Sequence, residues 1–213
     1  MKLKYIFFIL IILLLNSCIN LKDEYPDIKY YNLSQIKGKE IDIYKADALL
    51  YVRNVDISSA AYGSQIMVNW DGKRLQRYFY HRWAEDFDLI ASDFISQRFQ
   101  NAGVFKQGVS KTIGSALPDF ILDVIINEVN IESRSNSDEI NSVNLELTTS
   151  LLKRNSGEKD NEVIFNKTYK IRTVRPNNRI ENVAENVSIA LGKVTDEMIV
   201  DVSNSVINFI NKK

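Results

Sequence analysis

The feature that most constrains this chain is a change in the spacing of its apolar residues. Apolar and polar side chains alternate at 143–151 and at 163–171, which is the period of strands that have one face in water. At 183–210, and in a shorter segment at 83–99, the apolar residues instead recur every three or four positions. That period predicts two amphipathic helices, which bury their apolar sides only by packing on a sheet.

Further strands are predicted upstream of the alternating segments. Clusters of β-branched and aromatic residues indicate strands at 28–33, 49–57, 65–70, 75–83 and 119–131. Between the third and fourth of these, Asp71-Gly72 is a dipeptide typical of hairpin turns. The strand at 119–131 is apolar on both faces over much of its length and is expected to be central. The segments 34–48 and 106–115 are predicted to be loops.

These elements together define the fold class as α+β. Residues 28–213 are expected to form a single domain in which two amphipathic helices pack on one face of a mostly antiparallel sheet. The first helix is expected to end at Asn101-Ala102-Gly103, because glycine readily adopts the left-handed conformation of a helix cap. The chain is long enough to bury one substantial core.

The first seventeen residues have the layout of a secretory signal. Two lysines precede an apolar run at 5–15, which is about half of the roughly 20 residues that a membrane-spanning helix needs. Residues 15–18 read Leu-Asn-Ser-Cys and resemble the lipobox of bacterial lipoproteins. We therefore expect a signal peptide at 1–17, acylation of Cys18 and a tether at 18–27. The alternative is an ordinary signal peptide beside a chance cysteine.

The expected location is a membrane surface outside the cytoplasm. Ile19 follows the cysteine, and by resemblance to proteobacterial sorting this favours the periplasmic face of the outer membrane, with the inner membrane as the alternative. Removing Lys2 and Lys4 with the signal leaves 25 of the 27 basic residues against 27 acidic ones, so no nucleic-acid partner is expected. Several acyl chains, at about 0.8 kcal/mol per buried methylene, would hold the protein to the bilayer.

The sequence offers little catalytic chemistry. It lacks the glycine-rich phosphate loops and the Gly-x-Ser-x-Gly elbow. It has one histidine, His81, and one cysteine, Cys18, so a zinc site with the usual ligands is not expected. A Ser-His-Asp triad would need His81, which lies in an aromatic run and is better interpreted as a packed or hydrogen-bonded structural residue. We expect a protein that is not an enzyme, with no metal and no cofactor beyond the lipid on Cys18.

The aromatic residues around that histidine have two interpretations. Trp70, Tyr78, Tyr80 and Trp83 are candidates for contact with lipid or a partner protein, and the alternative is that they lie in the core under the first helix. Strict alternation along the strand would place Tyr78 and Tyr80 on one face and Phe79 on the other. Some members of the cluster are therefore expected on each side of the sheet.

Four segments resemble the auxiliary lipoproteins of ABC-type transport systems, a family often linked to MCE-domain lipid transporters. They are 30–33 (YYNL), 49–57 (LLYVRNVDI), the apolar strand that reaches Trp70, and 78–85 (YFYHRWAE) leading into an amphipathic helix. The last of these is the most specific. The resemblance extends to the later strands and the final helix and so covers nearly all of the chain after residue 27.

This resemblance implies a lipid-anchored periplasmic component that helps to move phospholipid or another hydrophobic molecule between the inner and outer membranes. Its implied action is docking or cargo transfer, and its implied partners are an MCE-domain protein and an ABC permease and ATPase. Self-association is compatible with it. Two alternatives stay open: an outer-membrane assembly lipoprotein that scaffolds a barrel, as in lipopolysaccharide export, and a periplasmic hydrolase that would need His81.

Overall fold

The computed structural model describes residues 26–35, 44–58, 63–112, 114, 117–136, 140–155 and 161–212. The predicted signal peptide, Cys18 and the tether up to residue 25 lie outside these residues. The elements in chain order are β1 (Lys29–Tyr31), β2 (Leu50–Val52), β3 (Asp56–Ile57), β4 (Gln65–Trp70), β5 (Arg74–Trp83), α1 (Phe87–Ala102), β6 (Val109–Ser110), β7 (Phe120–Ser133), β8 (Asn141–Lys153), β9 (Glu162–Arg175), a 3-10 turn (Ile180–Asn182) and α2 (Val183–Asn211).

Strand β7 is the centre of the sheet. On one side it pairs with β8 in a long antiparallel ladder, and β9 follows antiparallel to β8. On its other side three short strands pair with it in parallel: β2 near its start, β3 in its middle and β4 at its end. Strand β5 continues antiparallel from β4, β1 lies parallel at the edge, and β6 extends the sheet beyond β2.

The α+β class is confirmed, and the sheet is more mixed than the sequence predicts. The three longest ladders are antiparallel, as expected. The short pairings of β1, β2, β3, β4 and β6 are parallel. Parallel neighbours are joined by long connections rather than by a turn, so no local sequence signal indicates them.

The strand predicted at 49–57 is interrupted. Residues 53–55 separate β2 from β3 and lie opposite only two residues of β7, 123–124, so the segment bulges. Val55 is buried, and its backbone N–H donates to the hydroxyl of Ser92 in α1 at 2.8 Å. The side chain of a helix residue thus replaces the ladder hydrogen bond that the bulge removes.

The two helices pack on the sheet and on each other. Helix α1 buries an apolar stripe of Phe87, Ile90, Ala91, Phe94, Ile95 and Phe99, and it ends as predicted at Gly103, whose φ is 65°. In α2 the buried stripe includes Val187, Leu191, Val194, Met198 and Val202. The guanidinium of Arg98 in α1 donates two hydrogen bonds of 2.7 Å to the carboxylate of Asp196 in α2, which joins the two helices directly.

Two local predictions are wrong. The predicted loop at 106–115 contains β6, which follows a turn at Gly108 with a φ of 99°. In β9, Val163 is 58% exposed although it belongs to the alternating set with Phe165 and Tyr169. The register of β9 against β8 shifts between residues 163 and 165, so the alternation is broken there and Val163 does not share the buried side of Tyr169.

Candidate functional site

The structure places the four predicted contact residues in three environments. Trp83 is 3% exposed and packs on Phe87 with 5.1 Å between ring centroids, so its role as a contact residue is corrected and it belongs to the core. Trp70 is half-buried at the tip of the β4–β5 hairpin. Tyr78 and Tyr80 line one cleft in the middle of β5. The structure thus brings two of the four together.

An irregularity in β5 shapes the region around those tyrosines. The ladder between β4 and β5 shifts register between Gln65 and Met67, whose partners in β5 are Arg82 and Arg77. Four residues of β5, 78–81, therefore lie opposite a single residue of β4. We call this segment the β5 bulge, and such bulges reorient side chains at sheet edges.

The β5 bulge changes which aromatic side chains reach solvent. Phe79 and Tyr80 are neighbours in the chain, yet they are both exposed, at 63% and 47%. Tyr78 is half-buried and packs against the hydrophobic core. The prediction from strict alternation is wrong here, because the extra residues of the bulge break the two-residue period.

Strand β1 and the residue directly before it add two exposed apolar residues beside the bulge. Tyr30 is 62% exposed and Ile28 is 41% exposed. Tyr30 pairs with Arg82 in β5, and continuing this register places Ile28 opposite Tyr80. We call Ile28, Tyr30, Phe79 and Tyr80 the aromatic patch. Of these four residues only Tyr80 is among the contact residues predicted from the sequence. The alternation of Ile28 and Tyr30 in the strand predicted at 28–33 is a signal for a shared face.

A cleft of about 480 Å³ lies between the β5 bulge and the chain that enters β1. Its β5 wall runs from Gln76 to His81, and its other wall consists of Pro26, Asp27 and Lys29. Pro26 and Asp27 are the last residues of the predicted tether. The cleft and the aromatic patch therefore lie where the chain arrives from the direction of Cys18.

His81 is held by two tyrosines at this site. Its Nδ1 is 2.8 Å from the hydroxyl oxygen of Tyr31, and the two rings stack with 5.7 Å between centroids. The ring of Tyr78 meets it edge-on at 6.0 Å. These contacts match the hydrogen-bonded structural histidine that the sequence predicts.

Charged groups flank the patch. Lys29 and Glu181 form an ion pair of 3.5 Å. The pKa of the Glu181 carboxyl is lowered, first by a hydrogen bond from its own backbone N–H and then by the charge of Lys29. Burial, with the charge of Glu181, raises the pKa of Tyr31. Arg77 is exposed and forms no ion pair or side-chain hydrogen bond with the described residues. It therefore offers a positive charge to solvent next to the β5 bulge.

Trp70 belongs to a different depression, of about 400 Å³, at the hairpin tip. Asp71, at a φ of 54°, accepts hydrogen bonds from the backbone N–H and the hydroxyl of Ser135 at 2.8 and 2.6 Å. These bonds lower the pKa of the Asp71 carboxyl. The Nε1 of Trp70 is buried without a hydrogen-bond partner among the described residues. The tip is thus fixed by Asp71, and the Trp70 ring is largely part of its packing.

Arg175 is a buried cation with backbone and hydroxyl partners. It is 2% exposed and donates to the carbonyls of Glu132 and Arg179 and to the hydroxyl of Ser133, at 3.1, 2.9 and 2.9 Å. Burial lowers the pKa of its guanidinium. These bonds tie the end of β9 to the end of β7 and to the connection before α2, so the residue has a structural role.

Tyr169 connects β9 to α2. Its hydroxyl donates to Asp201 Oδ2 at 2.8 Å, and Lys167 Nζ donates to the same oxygen at 2.6 Å. Burial strongly raises the pKa of the Tyr169 hydroxyl, and the hydrogen bond to Asp201 adds to this effect. The tyrosine therefore serves as a neutral donor that positions the helix on the sheet.

Within the described ranges, no group of three or more histidine, cysteine, aspartate or glutamate residues is arranged to hold a metal ion. None of the helices in those ranges combines the length and the apolar character needed to cross a bilayer.

A family model described as an ABC-type transport auxiliary lipoprotein component matches residues 31–199. That range contains every strand from β2 to β9, helix α1 and more than half of α2. The family match therefore covers both the sheet and the helices rather than one local motif. A search of curated proteins found no match.

Three solved structures have the same fold. The protein XCC0632 from Xanthomonas campestris, of the family DUF330, has a TM-score of 0.71 at 18% identity, over 86% of this chain and 99% of that one. An uncharacterised protein has a TM-score of 0.62 at 12% identity, over 83% and 99%. The hypothetical protein CT253 from Chlamydia trachomatis has a TM-score of 0.50 at 9% identity, over 76% and 98%. At these identities the likeness concerns the fold alone.

Proposed function

This chain belongs to the family of ABC-type transport auxiliary lipoprotein components, and from that membership we propose that it is the lipid-anchored periplasmic component of an MCE-linked ABC system. In this role it helps to move phospholipid or another hydrophobic molecule between the inner and outer membranes. Its anchor is the lipid on Cys18, and its membrane is the outer one. The single observation that carries the proposal is the family match over 31–199.

The described residues favour docking over carrying cargo. The apolar stripes of α1 and α2 are buried in one continuous core together with the inner residues of the sheet. A carrier for a hydrophobic molecule needs apolar surface that is free to enclose it. The exposed apolar residues near the tether lie instead at the surface, at the edge strand β1 and on its neighbour β5.

The titratable groups support a role without catalysis. His81 contacts two tyrosines, Tyr169 donates to Asp201, and Arg98 binds Asp196. Each of these contacts joins two elements of the fold, so each titratable group has a structural role. We therefore propose that the protein is not an enzyme and needs no cofactor. Full transport function in a His81→Ala variant that folds would support this view, and loss of function with the fold retained would contradict it.

The experiment that tests the proposal is recovery of partners from native membranes. The tagged, acylated protein is solubilised in mild detergent and captured, and the co-purified proteins are identified by mass spectrometry. We expect an MCE-domain protein together with an ABC permease and ATPase. A β-barrel protein in their place would favour the scaffolding alternative of lipopolysaccharide-export type and would contradict the proposal.

A Cys18→Ser variant provides the control for the anchor. It should no longer incorporate a radiolabelled palmitate precursor, because the thiol that accepts the lipid is absent. Its folded domain should still bind the MCE-domain partner if docking surfaces lie within residues 28–213. Acylation of the variant would show that Cys18 is not the lipidated residue.

A further inference from the structure

We propose that the aromatic patch, Ile28, Tyr30, Phe79 and Tyr80, is a membrane-contact surface that lies in the headgroup region of the bilayer to which the protein is anchored. The inference rests on the proposed function in one respect, since it takes Cys18 to be acylated. It adds a second point of contact between protein and membrane, and with it a fixed orientation of the domain.

The shape of the β5 bulge is the first argument. A regular strand turns consecutive side chains to opposite faces, whereas the bulge exposes both Phe79 and Tyr80. With Tyr30 of β1 and Ile28, which directly precedes β1, they give four exposed apolar side chains at one edge of the sheet. Tyrosine is well suited to the boundary between hydrocarbon and water, because its ring is apolar and its hydroxyl is polar.

The position of the tether is the second argument. The chain from Cys18 reaches the domain at Pro26, which lines the cleft beside the β5 bulge. A stretch of eight residues spans at most about 26–29 Å, at roughly 3.3–3.6 Å per residue. The bilayer surface that holds the acylated cysteine is therefore always within this distance of Pro26, and Ile28 of the patch follows Pro26 by two residues.

Charge is the third argument. Arg77 lies just before the β5 bulge and is exposed, and its side chain forms no ion pair or hydrogen bond with the described residues. Lys29, the first residue of β1, lies between Ile28 and Tyr30 in the chain and forms an ion pair with Glu181. Asp27 also lines the cleft. Arg82 lies opposite Tyr30 and donates to the backbone carbonyl of Phe79 at 3.0 Å, so the positive charge near the patch comes from Arg77 and Arg82. Apolar side chains with an adjacent free arginine suit a surface of anionic phospholipid headgroups.

The test uses the fact that the chain has a single cysteine, which acylation consumes, so that an introduced cysteine is the only free thiol. Phe79→Cys and Tyr80→Cys variants of the full acylated protein are labelled with a bimane fluorophore. They are then reconstituted into vesicles of phosphatidylethanolamine and phosphatidylglycerol that contain a nitroxide-labelled lipid.

The chain offers a matched control for each labelled site. Val174 in β9 is 64% exposed, against 63% for Phe79, and lies at the opposite edge of the sheet. Tyr44 is 47% exposed, as is Tyr80, and its backbone carbonyl accepts a hydrogen bond from Ser203 in α2. Val174→Cys and Tyr44→Cys thus match the exposure of the patch sites on other parts of the surface.

We expect blue-shifted emission and nitroxide quenching at positions 79 and 80, and neither effect at positions 44 and 174. Equal, water-like emission at all four positions in vesicle-bound protein would overturn the inference. Protection at 79 and 80 that appears only after adding a purified protein partner would also overturn it and would identify the patch as a protein interface. Failure of the acylated protein to float with vesicles would instead count against the proposed anchor, so the two failures are distinguishable.

Discussion

Substitution of Tyr169 by phenylalanine tests how α2 is attached to the sheet. The tyrosine is 3% exposed, and its hydroxyl donates to Asp201 at 2.8 Å. Hydrogen bonds to charged groups contribute about 1.5–3 kcal/mol to stability. Because Asp201 keeps its bond to Lys167, we expect a loss at the lower end, about 1.5 kcal/mol in the free energy of unfolding near neutral pH.

The same substitution should change the response to alkaline pH. Folding raises the pKa of Tyr169 above its ordinary value of 10.0, so above that pH the unfolded chain releases a proton that the folded protein keeps. The contribution of Tyr169 to the free energy of unfolding is fully present below pH 10. Above pH 10 it falls by about 1.4 kcal/mol per pH unit. The phenylalanine variant lacks this dependence, so the two proteins should approach equal stability at about pH 11.

Urea unfolding followed by circular dichroism at a series of pH values measures both effects. Tyr30→Phe, in which the altered ring is 62% exposed, is the control and should follow the wild type at each pH. The reasoning would be refuted if Tyr169→Phe matched the wild type near neutral pH. It would also be refuted if the two unfolding free energies fell in parallel above pH 10.

Two further substitutions in α1 have matched controls in the same helix. Ser92→Ala leaves the buried N–H of Val55 without its acceptor and should lower the free energy of unfolding in urea by about 1–3 kcal/mol. Its control, Ser96→Ala, removes a buried hydroxyl that has no partner among the described residues and should cost far less. Equal losses would contradict the role of Ser92. Phe94→Ala removes a side chain that is 2% exposed and should cost about 3–5 kcal/mol. Leu89→Ala, at a position that is 39% exposed, should cost clearly less, and the reverse order would show that α1 packs by a different face.

The elements that the sequence predicts correctly are those with long, regular periods. Strand β8, helix α1 and helix α2 repeat their pattern over several turns or residue pairs, so single exceptions do not hide it. The bulges in the strands, in contrast, cannot be predicted from a repeating pattern. The bulges at 53–55 and 78–81 are defined by the partner strand, because a bulge is a difference in residue count between two paired strands. One strand alone carries no signal for it.

The candidate site was partly predictable for the same reason. The aromatic run containing Tyr78 and Tyr80 is evident in the sequence, and both residues line the cleft. The sequence places Trp83 in the same aromatic run, but Trp83 ends β5, is buried in the core and packs on Phe87 of α1. Tyr30 joins the patch only because β1 pairs in parallel with β5 across about fifty intervening residues, a long-range contact that no local pattern indicates.

The shared edge of β7 also determines the order in which the domain can assemble. Strands β2, β3 and β4 each pair with residues between 120 and 133, which come later in the chain. In a protein exported from its N-terminus, these apolar strands reach the periplasm before the strand that pairs with them. β4 can pair first with β5, and β2 with β6, but the edges of β2, β3 and β4 that face β7 stay unpaired until β7 follows. Exposed strand edges of this kind are prone to aggregation. Newly exported chains should therefore depend on periplasmic chaperones more than proteins whose early strands pair only with one another.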